Sequence, residues 1–396
     1  MYKKCIYFEK SMNPPKTIYL DYASTHPRKR EVSEARTQFE FSSYANVGRW
    51  RYELSGQAEE AYEKSKHAVV RWIGCEPVEV LYTYSATYAL NLLALAVEHN
   101  GVVEKGDTIL LSVSEHHANI VPWQMIAERV GAQIRFVALD NDYCLDLDDL
   151  KNKLDDSVKI VSFQYASNVT GAIHPLEQVR AIIGNERLFC VDASQMWIHG
   201  PLKMKEIQCD AMVLSGHKMM ADTGIGVLAL WKLLQKSWQS PVSGWGAINI
   251  VSQEGYEQAG IPDRWEPGTP HITGAVTLDA AISYLEQLDA SKGENYRGLI
   301  AYVDSLCEPL RPKWLLVFHS QKSSSLWVWS FVVPGKHPND VADICAEKGI
   351  CLRSWHHCCE PLHAYLGVPG TVRISIGFDT TRDDIDSFFA VLNTLL

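Results

Sequence analysis

The sequence lacks several patterns that would assign it to a specialised class of protein. Its ten cysteines contain no Cys-x-x-Cys pair, which argues against a structural zinc site. Cysteines scattered through 396 residues also do not form a disulfide framework. No apolar run approaches the roughly 20 residues that span a bilayer. Acidic residues outnumber basic ones by 47 to 37, and the resulting net charge of −10 argues against binding to nucleic acid or an anionic membrane.

The N-terminal stretch shows no targeting signal. Met1 to Pro15 has neither a continuous apolar core nor a small-residue cleavage site, so we predict no signal peptide and a cytoplasmic protein. Internal repeats and low-complexity linkers are absent as well. With 396 residues, of which 46% are hydrophobic and 21% charged, the chain has the composition of a globular protein with two or three domains.

Short apolar runs alternate with amphipathic segments through the first two thirds of the chain. Gly56 to Ile73 has the pattern of a helix. Four runs are predicted to be buried strands: Thr108 to Val113, Val158 to Phe163, Leu188 to Val191 and Ala211 to Leu214. Strands of this kind separated by helices are typical of a parallel α/β sheet.

The pattern changes near Tyr284. Beyond it we predict antiparallel strands at Trp314 to Phe318 and Leu326 to Val333, with helices at Asn339 to Lys348 and Asp383 to Leu396. We therefore divide the chain into an N-terminal segment that joins the small domain (1–24), a large domain (25–283) and a small α+β C-terminal domain (284–396).

Lys218 is the first candidate for chemistry. It follows the strand Ala211 to Leu214 within Ser215-Gly216-His217-Lys218, and parallel sheets bind ligands beyond the carboxyl ends of their strands. Asp192 ends the strand before it, where a carboxylate can keep the ring nitrogen of pyridoxal phosphate (PLP) protonated. Taken singly, Lys218 is more simply interpreted as a surface lysine and Asp192 as a helix N-cap. The occurrence of both residues after neighbouring strands favours a cofactor site.

Two further motifs follow predicted strands. His116, in Glu115-His116-His117-Ala118-Asn119, can stack on a pyridine ring, with ordinary loop histidines as the alternative; a metal site is disfavoured because adjacent histidines do not share a helical face. Ser85-Ala86-Thr87 precedes a helical segment and offers N–H groups and a hydroxyl to a phosphate, although Ser and Thr are also common N-caps.

The C-terminal third contains a possible nucleophile. Five cysteines have apolar neighbours and are predicted to be core residues, namely Cys75, Cys190, Cys209, Cys307 and Cys345. Cys358 instead follows two histidines and can act as a thiolate. Arg373 has the planar fork that binds a carboxylate, or it forms a surface salt bridge.

These motifs together resemble the cysteine desulfurases of the class V aminotransferase fold, in particular the SUF-type (group II) branch. The resemblance extends from Tyr19-Leu20-Asp21 to the final helix. It depends most on Glu115 to Trp123, on Ser215-Gly216-His217-Lys218 and on Arg353-x-x-His356-His357-Cys358. It implies a type I PLP-transferase (aspartate aminotransferase-like) fold, with a mainly parallel seven-stranded sheet in the large domain and a small α+β domain that carries the cysteine loop.

The resemblance also implies a role for each matching residue. Those implied to hold PLP are Lys218 as the Schiff-base lysine, Asp192 at the ring nitrogen, Gln195 at the ring hydroxyl, His116 stacked on the ring, and Thr87, Ser215 and His217 at the phosphate. Thr269 is implied to reach the phosphate of a neighbouring subunit, so the resemblance also implies a homodimer. Asn168, Arg353 and Arg373 are implied to bind the substrate, and Cys358 to receive sulfur.

The implied reaction converts L-cysteine to L-alanine. Lys218 removes the α-proton, His116 is a candidate proton shuttle for the substrate thiol, and Cys358 accepts the sulfur as a persulfide before an acceptor protein takes it. Alternatives are a PLP-dependent C–S or selenocysteine lyase, an epimerase or aminotransferase of the same fold, and a silent scaffold.

The sequence departs from the family pattern at four places. Trp355 replaces a glycine, Cys359 replaces a small residue, Ser85-Ala86-Thr87 replaces Gly-Thr-Thr, and Gly48-Arg49-Trp50 replaces His-Arg-Gly. These differences concern the substrate and the acceptor more than the cofactor.

Overall fold

The computed structural model describes residues 17–48, 51–288, 290–311, 316–321 and 325–396. Three predicted features lie wholly or partly outside these ranges: the stretch Met1 to Pro15, Arg49 and Trp50 of the predicted substrate-side loop, and the first two residues of the strand predicted from Trp314.

The four predicted buried strands are all present, together with strands that the sequence did not predict. The strands are β1 (Ile18–Tyr19), β2 (Val80–Thr83), β3 (Thr108–Ser112), β4 (Gln133–Val137), β5 (Val158–Gln164), β6 (Leu188–Asp192), β7 (Ala211–Ser215), β8 (Gly226–Leu230), β9 (Ile248–Val251), β10 (Tyr256–Gln258), β11 (Leu316–Phe318), β12 (Val328–Val332), β13 (Ile350–Cys351), β14 (Arg353–Trp355) and β15 (Thr371–Ser375). The helices are α1 (Arg30–Ser42), α2 (Glu53–Ile73), α3 (Ala86–His99), α4 (Val121–Val130), α5 (Leu147–Lys153), α6 (Leu176–Ile183), α7 (Met204–Ile207), α8 (Lys232–Ser237), α9 (Ile272–Glu286), α10 (Ala290–Cys307), α11 (Pro338–Glu347), α12 (Glu360–Tyr365) and α13 (Arg382–Asn393).

A seven-stranded sheet in the order β2-β8-β7-β6-β5-β3-β4 forms the centre of the larger unit. Strand β8 runs antiparallel to both β2 and β7, and the other pairings are parallel. The predicted mainly parallel sheet is therefore confirmed. Alternate residues of each central strand enter two separate hydrophobic clusters, so helices cover both faces, which explains why these strands are apolar without interruption.

The C-terminal region has its own four-stranded antiparallel sheet, in the order β11-β12-β15-β14. A third hydrophobic cluster joins this sheet to α11 and α13 and includes Ile18 and Leu20 from the N-terminal segment. Strand β1 also pairs in parallel with β13. These contacts favour the predicted three-part division of the chain, which stays a prediction. None of the helices in the described ranges is long and apolar enough to cross a membrane.

Gly226 brings β8 against the start of α3. A Cβ atom built on Gly226 would lie 2.6 Å from the carbonyl carbon of Ser85 and 2.9 Å from the backbone nitrogen of Ala86, closer than any side chain permits. This close approach sets the N-terminus of α3 at the edge of the sheet where the parallel strands end.

Candidate active site

The predicted site residues meet at the carboxyl edge of the large sheet. Loops after β2, β3, β5, β6 and β7 supply side chains to one cavity of about 190 Å³, and the cysteine loop and β15 close it from the small sheet. All but one of the predicted site residues line this cavity: Thr87, His116, Asn168, Asp192, Gln195, Ser215, His217, Lys218, Arg353, Cys358 and Arg373. Thr269 is the exception and lies in a separate cavity of about 50 Å³ with Gly224 and Tyr88.

The surroundings of Lys218 suit an amine that reacts with a carbonyl. Burial lowers the pKa of Lys218, and the nearby Asp192 only partly opposes this effect. Asp192 is 7% exposed, and one of its oxygens accepts a hydrogen bond from the backbone N–H of Ser194 at 3.0 Å. A less basic amine beside a buried carboxylate fits PLP, whose ring nitrogen needs such a carboxylate.

Ser85-Ala86-Thr87, at the start of α3, serves both as a helix N-cap and as part of the cavity wall. Ser85 is the N-cap residue, and its hydroxyl accepts a hydrogen bond from the backbone N–H of Tyr88 at 3.1 Å. Ser85, Ala86 and Thr87 nevertheless all line the cavity. The N-terminus of this 14-residue helix therefore faces the space where a phosphate group would bind.

The tautomer of His116 follows from its contacts. Burial, with a further contribution from Lys218, lowers the pKa of His116 to about 3, so the ring is neutral near pH 7. Its Nδ1 accepts a hydrogen bond from the backbone N–H of Ala118 at 3.1 Å. The hydrogen of a neutral ring is then on Nε2, so His116 begins as a hydrogen-bond donor, and taking up a proton at Nδ1 requires release of Ala118.

Arg373 is anchored by groups that the sequence did not indicate. Its Nη2 atom donates to Asp21 Oδ1 and to Ser24 Oγ, both at 2.7 Å, and Nη1 donates to the backbone oxygen of Asn168 at 3.0 Å. The Nε atom is buried, with no hydrogen-bond partner in the described ranges. Three of the five N–H groups of this largely buried guanidinium are thus engaged, which leaves the buried N–H of Nε and the second N–H of Nη1.

Arg353 adds a second positive charge. It is paired across the antiparallel strands β14 and β15 with Arg373, and it donates to Ser24 Oγ at 2.5 Å. No carboxylate within the described ranges forms an ion pair with Arg353. Two arginines beside Asn168 make this end of the cavity suited to an anion such as a carboxylate.

The cysteine loop has an unusual backbone. Trp355, His357 and Cys358 have φ angles of 87°, 52° and 60°, in the left-handed region that side chains other than glycine rarely adopt. Contacts hold this conformation in place: the backbone oxygen of Cys358 accepts from the N–H of His117 at 2.8 Å, and His357 Nε2 lies 2.8 Å from Thr371 Oγ1. The loop is thereby fixed with Cys358 at the cavity wall.

The cysteines fall into the groups that the sequence predicts. Each of the five cysteines with apolar neighbours is buried, whereas Cys358 is partly exposed and lines the cavity. Among the described residues, no group of three or more His, Cys, Asp or Glu side chains is placed to hold a metal ion.

A fold with this strand order, a lysine after β7 and a carboxylate at the end of β6 defines the PLP-dependent enzymes of the aspartate aminotransferase type. The aminotransferase class-V model matches residues 18–388, and the chain belongs to that family.

Named relatives indicate the subgroup. A probable cysteine desulfurase from Pyrococcus abyssi is 35% identical over 382 residues, which cover 96% of this chain and 94% of the relative. One from Synechocystis sp. is also 35% identical, over 96% of this chain and 91% of its own length. Among solved structures, the cysteine desulfurase from Thermococcus onnurineus NA1 has a TM-score of 0.90 at 33% identity, over 96% of this chain and 94% of that one.

Proposed function

We propose that this chain is a PLP-dependent cysteine desulfurase that converts L-cysteine to L-alanine and takes the sulfur onto Cys358. The observation that carries the proposal is that Lys218, Cys358, Asn168 and Arg373 line a single cavity. A scaffold has no use for this set, and an epimerase or aminotransferase has no use for the cysteine loop. The relatives named above support the same activity.

The residues present fit PLP. Lys218 would hold the cofactor through its amine, Asp192 would face the ring nitrogen, Gln195 the ring hydroxyl, His116 the ring face, and the start of α3 with Ser215 and His217 the phosphate. When bound, PLP supplies an electron sink for a carbanion at the substrate Cα atom. Arg373 and Asn168 would orient the substrate carboxylate, with Arg353 beside them.

Lys218 and Cys358 have separate tasks in this scheme. Because burial lowers the pKa of Lys218, its freed amine is a suitable base for the α-proton. The Cys358 thiolate then attacks the substrate sulfur. A new S–S bond forms as the C–S bond breaks, and a proton delivered to the former Cβ atom completes alanine. His116, whose neutral ring carries its hydrogen on Nε2, would exchange a proton with the substrate thiol.

A single-turnover experiment tests the proposal. The holoenzyme is mixed with one equivalent of L-cysteine, alanine is quantified, and the peptide that contains Cys358 is weighed for one added sulfur. Cys358→Ala should abolish desulfuration. Cys351→Ala is the matched control, because Cys351 is an exposed thiol on β13, outside the cavity. If Cys358→Ala still forms alanine at the normal rate and releases sulfide, the lyase alternative is the better assignment.

Borohydride reduction tests the cofactor site independently. Reduction of the holoenzyme should fix the mass of PLP on the peptide that contains Lys218, and a label on any other lysine would overturn that assignment. We further propose a homodimer in which Thr269 serves the neighbouring subunit, supported by the position of Thr269 outside its own chain's cavity. The SUF-type branch, the cytoplasmic location and the sulfur-acceptor protein stay predictions from the sequence.

A further inference from the structure

Two adjacent cysteines face different surroundings. Cys358 lines the cavity, whereas Cys359 is 0% exposed and packs against Leu139, Val169 and Leu362. A thiol closed off by apolar side chains is poorly placed to receive sulfur from a substrate or to hand it to an acceptor. Its sulfur lies 3.1 Å from Asn168 Oδ1 and, farther away, 3.6 Å from the backbone oxygen of His357.

Cys359 and the loop backbone hold both ends of the Asn168 amide. Cys359 Sγ donates to Asn168 Oδ1 at 3.1 Å, and Asn168 Nδ2 donates to the backbone oxygen of His357 at 2.9 Å. Burial raises the pKa of Cys359, so the thiol keeps its hydrogen and stays a donor. A donor facing Oδ1 and an acceptor facing Nδ2 together select one of the two orientations of the amide.

The selected orientation determines what Asn168 offers to a ligand. Its oxygen is engaged by Cys359, and one Nδ2 hydrogen is engaged by His357, which leaves the second Nδ2 hydrogen. Asn168 lines the cavity beside Arg373, so the available group is a donor, as a carboxylate requires. In the opposite orientation, Oδ1 would oppose both the carbonyl of His357 and the negative charge of the ligand.

We propose that Cys359 is a positioning residue, which fixes the Asn168 amide so that it donates to the substrate carboxylate. This inference rests on the proposed function, because it takes the ligand to be an amino acid. It assigns a task to the second cysteine, which stands where the resemblance implies a small residue. It also distinguishes Cys359 from a relay thiol, which would carry sulfur.

Binding of L-alanine tests the proposal without turnover. L-alanine has the carboxylate of the substrate but no sulfur, and its binding is read from the visible absorbance of the holoenzyme. Cys359→Ala should weaken this binding about three- to tenfold, the range that one neutral hydrogen bond supports. The KM for L-cysteine should rise by the same factor with kcat little changed. Cys359→Ser, which restores a donor, should recover most of the affinity.

A double-mutant cycle separates positioning from general damage. In an Asn168→Ala background, Cys359→Ala should cause no further loss of affinity, because the amide that it orients is gone. Cys345→Ala is the matched control: Cys345 is also 0% exposed, but it lies in the third hydrophobic cluster, so its replacement should leave L-alanine affinity unchanged. If Cys359→Ala does not fold, Cys359→Val, which fills the site without a donor, takes its place.

Three results would overturn the proposal: unchanged L-alanine affinity in Cys359→Ala, an equal loss in the presence and absence of Asn168, or a persulfide on Cys359 of the wild type after one turnover. Failure of the proposed function has a different signature. If the wild type binds L-alanine but does not produce L-alanine from L-cysteine, the desulfurase activity is refuted, whereas the binding test of Cys359 still applies.

Discussion

Replacing Arg373 by lysine is the most direct test of substrate recognition. Lysine retains the charge but loses the fork through which a guanidinium binds two oxygens. In the structure, Nη2 donates to Asp21 and Ser24, whereas Nη1 uses one of its two N–H groups for the backbone oxygen of Asn168. Three of the five guanidinium N–H groups are thus engaged. Because Nε is buried, the second N–H of Nη1 is the donor that we assign to the substrate carboxylate.

The size of the effect follows from that single donor. A hydrogen bond to a charged group contributes about 1.5–3 kcal/mol, and each 1.4 kcal/mol corresponds to about a tenfold change in affinity. Arg373→Lys should therefore raise the KM for L-cysteine about tenfold to a hundredfold, with PLP still bound. Steady-state alanine formation gives the KM, and the visible absorbance of the purified protein gives cofactor occupancy.

Arg180→Lys is the matched control for Arg373→Lys. Arg180 is a buried arginine whose Nη2 pairs with Asp210 Oδ2 at 2.7 Å, and it does not line the cavity. Both variants should lower the melting temperature, because each disturbs a buried ion pair, but only Arg373→Lys should change the KM. If the two variants lose similar stability and both keep a normal KM, Arg373 serves only to fasten the small sheet to Asp21.

Three other perturbations test separate features. Burial raises the pKa of Glu115 from 4.5 to about 8. Between those pH values the unfolded chain loses a proton that the folded chain keeps, so the contribution of Glu115 to stability falls as pH rises. Relative to the wild type, Glu115→Gln should therefore gain stability from pH 5 to pH 8 in thermal melting, and a constant difference between the two proteins would contradict this. Trp355→Gly should be more stable than Trp355→Ala by about 1 kcal/mol, because both variants lose the indole but only glycine adopts a positive φ freely. Chemical denaturation measures the difference, and equal stabilities would show that the backbone at this position is not strained. Light scattering should give twice the chain mass of 44.5 kDa, and a monomer that stays active on dilution would exclude shared sites.

Local patterns were sufficient to predict the central strands and the residues at their ends. The apolar runs that become β3, β5, β6 and β7 are buried on both faces, so their composition reports directly on their environment. The chemistry follows each strand within a few residues, and parallel strands end at one edge. Motifs far apart in the sequence, such as His116 and Lys218, are therefore brought together by the sheet itself.

Contacts between distant elements could not be predicted in this way. Asp21 and Ser24 are about 350 residues from Arg373 in the sequence but bind it in the structure. No periodic pattern in the sequence indicates such a contact. Strand β8 (Gly226–Leu230) was not predicted, and its antiparallel direction could not have been, because an apolar run shows burial but not direction. The bond between Cys359 and Asn168 likewise depends on how a strained loop packs. Gln164 lines the cavity without belonging to a recognisable motif.

The pairing of Arg353 with Arg373 across β14 and β15 affects how the protein should be handled. Like charges directly opposite each other on neighbouring strands repel, and a small anion in the cavity that both residues line relieves that repulsion. Acetate or citrate in a purification buffer would then do two things at once: raise the melting temperature through mass action and compete with the substrate. Stabilities and inhibition constants measured in carboxylate buffers would accordingly describe an anion complex. A buffer without carboxylate groups, such as Tris chloride, gives the reference state from which the energetics of this site should be measured.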